Sequence, residues 1–219
     1  MPYLKRAVII ANGVLENFDY YRRLVSTEDL IICVNGGSTH AVHLGLQPDL
    51  VIGDLDSLSN DGREKVEALA SRLIEYPSEK DKSDLELALD HTVAMRPAEI
   101  VILGALGGKR TDHAFINLLL LNIPLKEGIE ARIIDHSQEI RLIDKEALIE
   151  GNPGDYLSLF SLVPESRGIF TDGLKYHLQG ESLLFASTLG LSNEFAASEA
   201  RIKVHSGLLM MVKTRKESL

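Results

Sequence analysis

Apolar runs of strand length recur through the first half of this chain, and each stops at a glycine. Ala7-Val8-Ile9-Ile10-Ala11 leads into Asn12-Gly13, and Leu30-Ile31-Ile32-Cys33-Val34 into Asn35-Gly36-Gly37-Ser38. Pro48-Asp49-Leu50-Val51-Ile52 ends at Gly53-Asp54, and Ile100-Val101-Ile102-Leu103 at Gly104. Between them lie stretches with helical spacing, such as Leu15, Phe18, Tyr21, Leu24 and then Ala41, Leu44, Leu46. Further helices are expected over 61–70, from Leu85 to Val93 and over 114–122, with strands at 72–76 and 131–135. Strand, glycine turn and helix repeating at short intervals predict an α/β fold with a mostly parallel sheet. Ligands of such sheets bind beyond the carboxyl ends of the strands, near a topological switch point. All these glycine turns lie at expected carboxyl ends.

Between Asp144 and Gly154 the texture changes. Helical periodicity disappears, and short β-like runs (156–162, 180–186, 201–205, 208–213) alternate with Gly, Pro, Asp and Ser. This spacing predicts a small antiparallel β domain. The expected division is therefore 1–146 and 147–219.

The chain has 219 residues, 45% hydrophobic and 25% charged, which is ordinary for a globular protein able to bury a proper core. Its single cysteine, Cys33, sits in an expected buried strand, reads as an inert apolar residue and fits a reducing, cytoplasmic setting. The first residues lead into a strand rather than a signal sequence, and no run approaches the length of a membrane span. A formal net charge of −9 argues against broad contact with nucleic acid or anionic membrane. It leaves room for a phosphorylated small molecule, because metal and a few placed cations reverse the sign of a site locally.

Three motifs carry chemistry. In Gly53-Asp54-Leu55-Asp56-Ser57 the aspartates at i and i+2 are expected to point the same way and repel, unless a hard cation such as Mg²⁺ lies between them. The simpler reading is a polar turn. Lys80-Asp81-Lys82-Ser83-Asp84 precedes a helix, with Ser83 or Asp84 at its start. Asp84 is either a capping carboxylate or one that holds a metal beside a phosphate, since a helix start favours anions. Gly104 to His113 combines a strand end, glycines, Lys109 and Arg110, and a helix start, the parts of a phosphate-binding loop without Walker A spacing.

Together these stretches resemble the thiamine pyrophosphokinase family. The matching motifs are Val34-Asn35-Gly36-Gly37, Gly53-Asp54-Leu55-Asp56-Ser57, Lys80-Asp81-Lys82-Ser83-Asp84-Leu85-Glu86, Gly104 to His113 with Asn117, Gly173-Leu174-Lys175-Tyr176 and Ser192-Asn193-Glu194. They keep the family order and span nearly the whole chain. The resemblance implies a Rossmann-like, three-layer α/β/α nucleotide-binding domain followed by a small antiparallel β-sandwich. It implies a homodimer that binds thiamine between subunits and transfers pyrophosphate from ATP to the thiamine hydroxyethyl group, with Mg²⁺. Asp54, Asp56 and Asp84 then surround metal and reacting phosphates. Asn35, Gly36, Lys80, Asp81, Gly107, Gly108, Arg110, Asp112 and His113 lie at the nucleotide, and Tyr176, Ser192 and Asn193 at thiamine. One residue more than in the family separates the glycine pair from Asp112-His113, so either the loop bulges or one glycine is not equivalent. The competing readings are an Mg²⁺-dependent hydrolase with an aspartate nucleophile and a non-catalytic nucleotide sensor. The hydrolase fits less well, because Asn12-Gly13 stands where its nucleophile is expected.

Overall fold

The apolar runs become strands buried on both sides, because helices and neighbouring side chains leave neither face of a parallel sheet to water. A computed structural model describes residues 5–54 and 70–218. The chain divides into two compact units, Met1–His136 and Ser137–Leu219.

In the first unit, β1 (Arg6–Ile10), β2 (Leu30–Val34), β3 (Leu50–Gly53), β4 (Leu73–Glu75), β5 (Glu99–Leu103) and β6 (Glu130–Ile134) pair in the order β6-β5-β1-β2-β3-β4. Every one of these pairings is parallel. Val8, Ile10, Cys33, Val51, Val101 and Leu103 meet Tyr21 of α1 (Phe18–Leu24) and Ala41 and Leu44 of α2 (Gly37–Leu44) in one core. Gly45 ends α2 in a left-handed turn (φ 74°), so Leu46 lies beyond the helix although its spacing matched. α3 (Asp84–Ala94) lies against β2 and β3. The helix expected over 114–122 starts earlier, as α4 (Thr111–Leu120), and is followed by the short α5 (Asn122–Lys126). The helix expected over 61–70 lies outside the described residues, apart from its last position. From β1 the chain steps outward through β2, β3 and β4, then returns to the other side of β1 as β5. The carboxyl ends of β1 and β5 therefore flank the switch point.

In the second unit, β7 (Gln138–Ile143), β9 (Tyr156–Ser161), β12 (Asn193–Glu194) and β14 (Leu209–Thr214) pair antiparallel in the order β12-β9-β14-β7. A separate antiparallel sheet has the order β11-β10-β13-β8, from β8 (Glu146–Glu150), β10 (Glu165–Asp172), β11 (Gln179–Leu184) and β13 (Glu199–Ser206). Alternate residues of both sheets, among them Leu157, Leu159, Ile169, Leu183, Ile202 and Met211, share one core. The sequence texture changed at 144–154, whereas the units part at 136/137. The reason is that β7 takes β14 as its partner, Ile143 opposite Leu209. Among the described residues no helix is long and apolar enough to cross a membrane.

Candidate functional site

Glycines draw the strand ends of the first unit into close contact. Gly13 donates its N–H to the Gly104 carbonyl at 2.7 Å, which ties the ends of β1 and β5 together. A Cβ at Gly13 would stand 2.3 Å from that oxygen, so no larger residue fits without movement. Gly36 is packed in the same way against the Asn12 side chain. Asn35, directly after β2, holds a left-handed backbone (φ 48°), a conformation asparagine tolerates better than most residues. This aims its side chain over Gly53, where a Cβ would come within 1.6 Å of Asn35 Oδ1.

Asn35 Nδ2 donates to Asp84 Oδ2 at 2.6 Å. Ser83 is the N-cap of α3, accepting from the Glu86 N–H at 3.2 Å, so Asp84 is not the cap and its carboxylate faces the strand ends. Lys80 Nζ lies 2.9 Å from Asp84 Oδ1 and 3.7 Å from Asp54 Oδ2, and donates to the Pro77 carbonyl at 3.0 Å. The Lys80–Asp84 contact is an ion pair by distance, not an aligned hydrogen bond: Asp84 Oδ1 is buried and has no hydrogen-bond partner. Four expected site residues, Asn35, Asp54, Lys80 and Asp84, thus meet in one corner beyond β2 and β3. Asp56 lies outside the described residues. Among the described residues no three His, Cys, Asp or Glu side chains gather to hold a metal ion. Asp81 is exposed in the loop before α3.

The glycine-rich loop after β5 uses Gly107 and Gly108 at φ 75° and 81°, which glycine adopts without strain. Asn117 of α4 donates to the Ala105 carbonyl at 2.8 Å and fixes the loop to its helix. Arg110 forks onto Asp112, Nε to Oδ1 at 2.9 Å and Nη2 to Oδ2 at 2.6 Å. These hydrogen bonds, more than charge alone, hold the Asp112 carboxyl well below the usual carboxylate range. His113 is exposed on the first turn of α4. Sequence reasoning missed His40, whose Nε2 lies 2.8 Å from the Gly13 carbonyl and whose Nδ1 is buried without a hydrogen-bond partner. A lone histidine on a helix gives no periodic signal that would have pointed to it.

In the second unit Asn193 Oδ1 accepts from the Tyr176 N–H at 3.0 Å, and its Nδ2 donates to the Tyr176 carbonyl at 2.6 Å. Tyr176 is 61% exposed, with Lys175 Nζ over its ring, 5.4 Å from the centroid. Ser192 has a left-handed backbone (φ 57°) and donates its N–H to Ser158 Oγ at 3.0 Å. Tyr176 and Asn193 border a cavity of about 240 Å³ whose walls include Leu157, Leu159, Leu178 and Leu189.

Residues 21–133 match the thiamin pyrophosphokinase catalytic domain, and residues 138–209 the thiamin pyrophosphokinase vitamin B1 binding domain. The thiamine pyrophosphokinase of Bacillus subtilis is 30% identical over 213 residues, covering 96% of this chain and 99% of that protein. The crystal structure of thiamine pyrophosphokinase from Bacillus subtilis superposes with a TM-score of 0.87 at 29% identity, covering 97% of this chain and 100% of the other. That of thiamin pyrophosphokinase from Geobacillus thermodenitrificans gives 0.84 at 27% identity, over 97% and 99%. Two adjoining domain matches and full-length similarity agree with the corner of Asp54, Asp84 and Lys80: the chain belongs to the thiamine pyrophosphokinase family.

Proposed function

We propose that this protein transfers the pyrophosphoryl group of ATP to thiamine, giving thiamine diphosphate and AMP. The observation that carries this reading is the corner of Asn35, Asp54, Lys80 and Asp84 at strand ends, in a chain whose residues 21–133 and 138–209 match the family's two domains. The thiamine hydroxyl oxygen bonds to the β-phosphorus while the bond from that phosphorus to the α,β-bridging oxygen breaks. AMP leaves with the bridging oxygen, and the hydroxyl proton passes to a carboxylate of the corner. Such a transfer asks the protein for positioning and charge neutralisation rather than covalent chemistry.

The corner suits Mg²⁺. It offers hard oxygen donors, and buried Asp84 Oδ1 has no hydrogen bond but already pairs with a cation, the Lys80 ammonium at 2.9 Å. Asp54 and Asp84 would hold the ion, with Asp56 as a third candidate, and it would neutralise charge on the phosphate oxygens. Asn35 orients Asp84, and Lys80 carries its positive charge to the phosphates. Gly36, Gly107 and Gly108 bring backbone close to the nucleotide, with Asp81, Arg110, Asp112 and His113 around it. The second unit supplies the thiamine side through Tyr176, Ser192 and Asn193.

The same reading makes the first unit a Rossmann-like α/β/α domain, the second a β-sandwich, and the working form a cytoplasmic homodimer with thiamine between subunits. Incubation with ATP, Mg²⁺ and thiamine tests the activity: AMP and thiamine diphosphate should appear together. Orthophosphate without thiamine would instead mean a hydrolase, and no product a sensor. Mixing Asp54→Asn with Asn193→Ala protein tests the shared site, since hybrid dimers should regain activity.

A further inference from the structure

The cavity beside Tyr176 and Asn193 has an uneven chemistry. Leu157, Leu159, Leu178 and Leu189 make it mainly aliphatic, and among the described residues no lysine or arginine lines it, the nearby Lys175 ammonium lying over the Tyr176 ring. Its other polar side chains are largely engaged. Asn193 is bonded to the Tyr176 backbone on both its oxygen and its nitrogen. His177 Nδ1 lies 3.3 Å from the Thr171 carbonyl, to which it donates. The remaining charged group in the lining is the Glu181 carboxylate, steadied by the Gln179 N–H on Oε2. Glu181 is exposed, so water screens its charge until an occupant covers it, and only then does it discriminate between charged and neutral occupants.

We propose that Glu181 is a specificity-determining residue of the acceptor site, selecting a flat monocationic heteroaromatic over a neutral ring of the same shape. The proposal rests on the thiamine reading above and adds to it the group that reads the acceptor's charge. A cationic ring gains attraction from Glu181, whereas the Tyr176 ring already has the Lys175 ammonium over it, 5.4 Å from its centroid. A neutral ring covers the carboxylate and returns nothing for the lost water. The leucines recognise shape and apolar area, which both rings share. The matched vitamin B1 binding domain, 138–209, contains every residue of the lining.

The test compares thiamine with 3-deazathiamine, whose neutral thiophene replaces the thiazolium, by calorimetry and steady-state kinetics. Wild type should bind thiamine about tenfold more tightly than the neutral analogue, the scale of one charge contact that the ligand covers on binding. Glu181→Gln should bring that ratio to within about twofold and raise the thiamine KM about tenfold, with kcat and the ATP KM near wild type. Glu181→Asp should restore part of the preference. Leu189→Trp, which enlarges one side chain of the lining, should weaken both ligands alike. Glu181 is exposed and Gln keeps an acceptor for Gln179, so the melting temperature should not change. An unchanged ligand ratio in Glu181→Gln overturns the proposal. Wild type that makes no AMP from ATP and thiamine sinks the underlying function instead, so the two failures are distinguishable.

Discussion

Lys80 and Asp84 form an i,i+4 ion pair that spans a loop and a helix start, Nζ to Oδ1 2.9 Å, and the same ammonium stands 3.7 Å from Asp54 Oδ2. One cation thus serves two carboxylates whose side chains are only about a fifth exposed, at 21% and 18%. Removing it leaves like charges facing each other. Lys80→Met should destabilise the metal-free protein by about 1–3 kcal/mol, several degrees in a melt. Mg²⁺ without nucleotide should then recover more stability in the variant than in wild type, because no ammonium competes for the oxygens. Thermal melts with and without Mg²⁺ check this. Equal responses in the two proteins would remove Lys80 from the counter-ion role.

The Asn35–Gly53 contact gives a second prediction. Gly53→Ala puts a methyl 1.6 Å from Asn35 Oδ1 and must displace the amide that holds Asp84. A cost of about 2–4 kcal/mol and a large loss of kcat are expected, in line with overpacking at a closed site. In an Asn35→Ala background the same change should cost clearly less, because the colliding atom is gone. Urea melts of the four proteins measure the coupling, and additive costs would mean that the contact is loose.

How much of this was legible follows from where each signal resides. The parallel strands were readable because β1, β2, β3 and β5 are unbroken aliphatic runs, and the fold buries them on both faces. β8 was missed because Glu146-Ala147-Leu148-Ile149-Glu150 has no β-like composition and is a strand only through its pairing with β13. β10 was missed because Gly168 (φ 62°) and a register shift between Ser166 and Ile169 break its alternation. In the corner, Asp54 and Asp84 were candidates from local motifs. Their joint hold on Lys80 depends on how a loop folds back across β3, which no spacing rule encodes. The Arg110–Asp112 fork was hidden for the same reason, since each residue alone suggested a nucleotide contact.

Arg110 is held by Asp112, yet both side chains are more than 60% exposed, so the fork can release to an incoming phosphate. Arg110→Ala should raise the ATP KM about tenfold, the scale of one lost charge-assisted contact, and leave thiamine binding unchanged. Lys109→Ala should be milder. The depressed Asp112 carboxyl contributes stability that is present above the ordinary carboxylate range and lost as pH falls through it. Arg110→Ala should therefore remove that stability, a small amount at so exposed a pair, equally at about pH 6 and pH 8, both lying well above that range. If Lys109→Ala is the more damaging, the added residue has shifted the loop register and Lys109 takes the phosphate.

Cys33 is fully buried in β2, and burial pushes its thiol up to about 12, with the Asp49 charge a smaller cause. A raised thiol contributes stability that is complete below the unfolded value, about 8.5, and is lost as pH climbs towards the folded one. The stability of wild type should fall from about pH 9 upward, and Cys33→Ala should flatten that limb at the cost of a small cavity. A thiol reagent at pH 8 should label nothing in the native protein and one group in urea. Rapid native labelling would contradict the burial.

The last prediction concerns what Asn193 does. Its Oδ1 accepts from the N–H groups of Tyr176 and Glu194 at 3.0 and 2.9 Å, and its Nδ2 donates to the Tyr176 carbonyl at 2.6 Å. Under the proposed function, an amide engaged in this way would act on thiamine through Tyr176, as a positioning residue. Asn193→Asp keeps both accepted bonds but sets a carboxylate oxygen against the Tyr176 carbonyl. The thiamine KM should rise about tenfold, the range of one broken hydrogen bond with its partner left unpaired, while the ATP KM holds. Tyr176→Ala should raise the thiamine KM by a similar factor, because it removes the ring that Asn193 positions. The double variant should then be no worse than Tyr176→Ala alone, since the second change acts on a ring already gone. Additive losses in that cycle would show that Asn193 also touches thiamine itself.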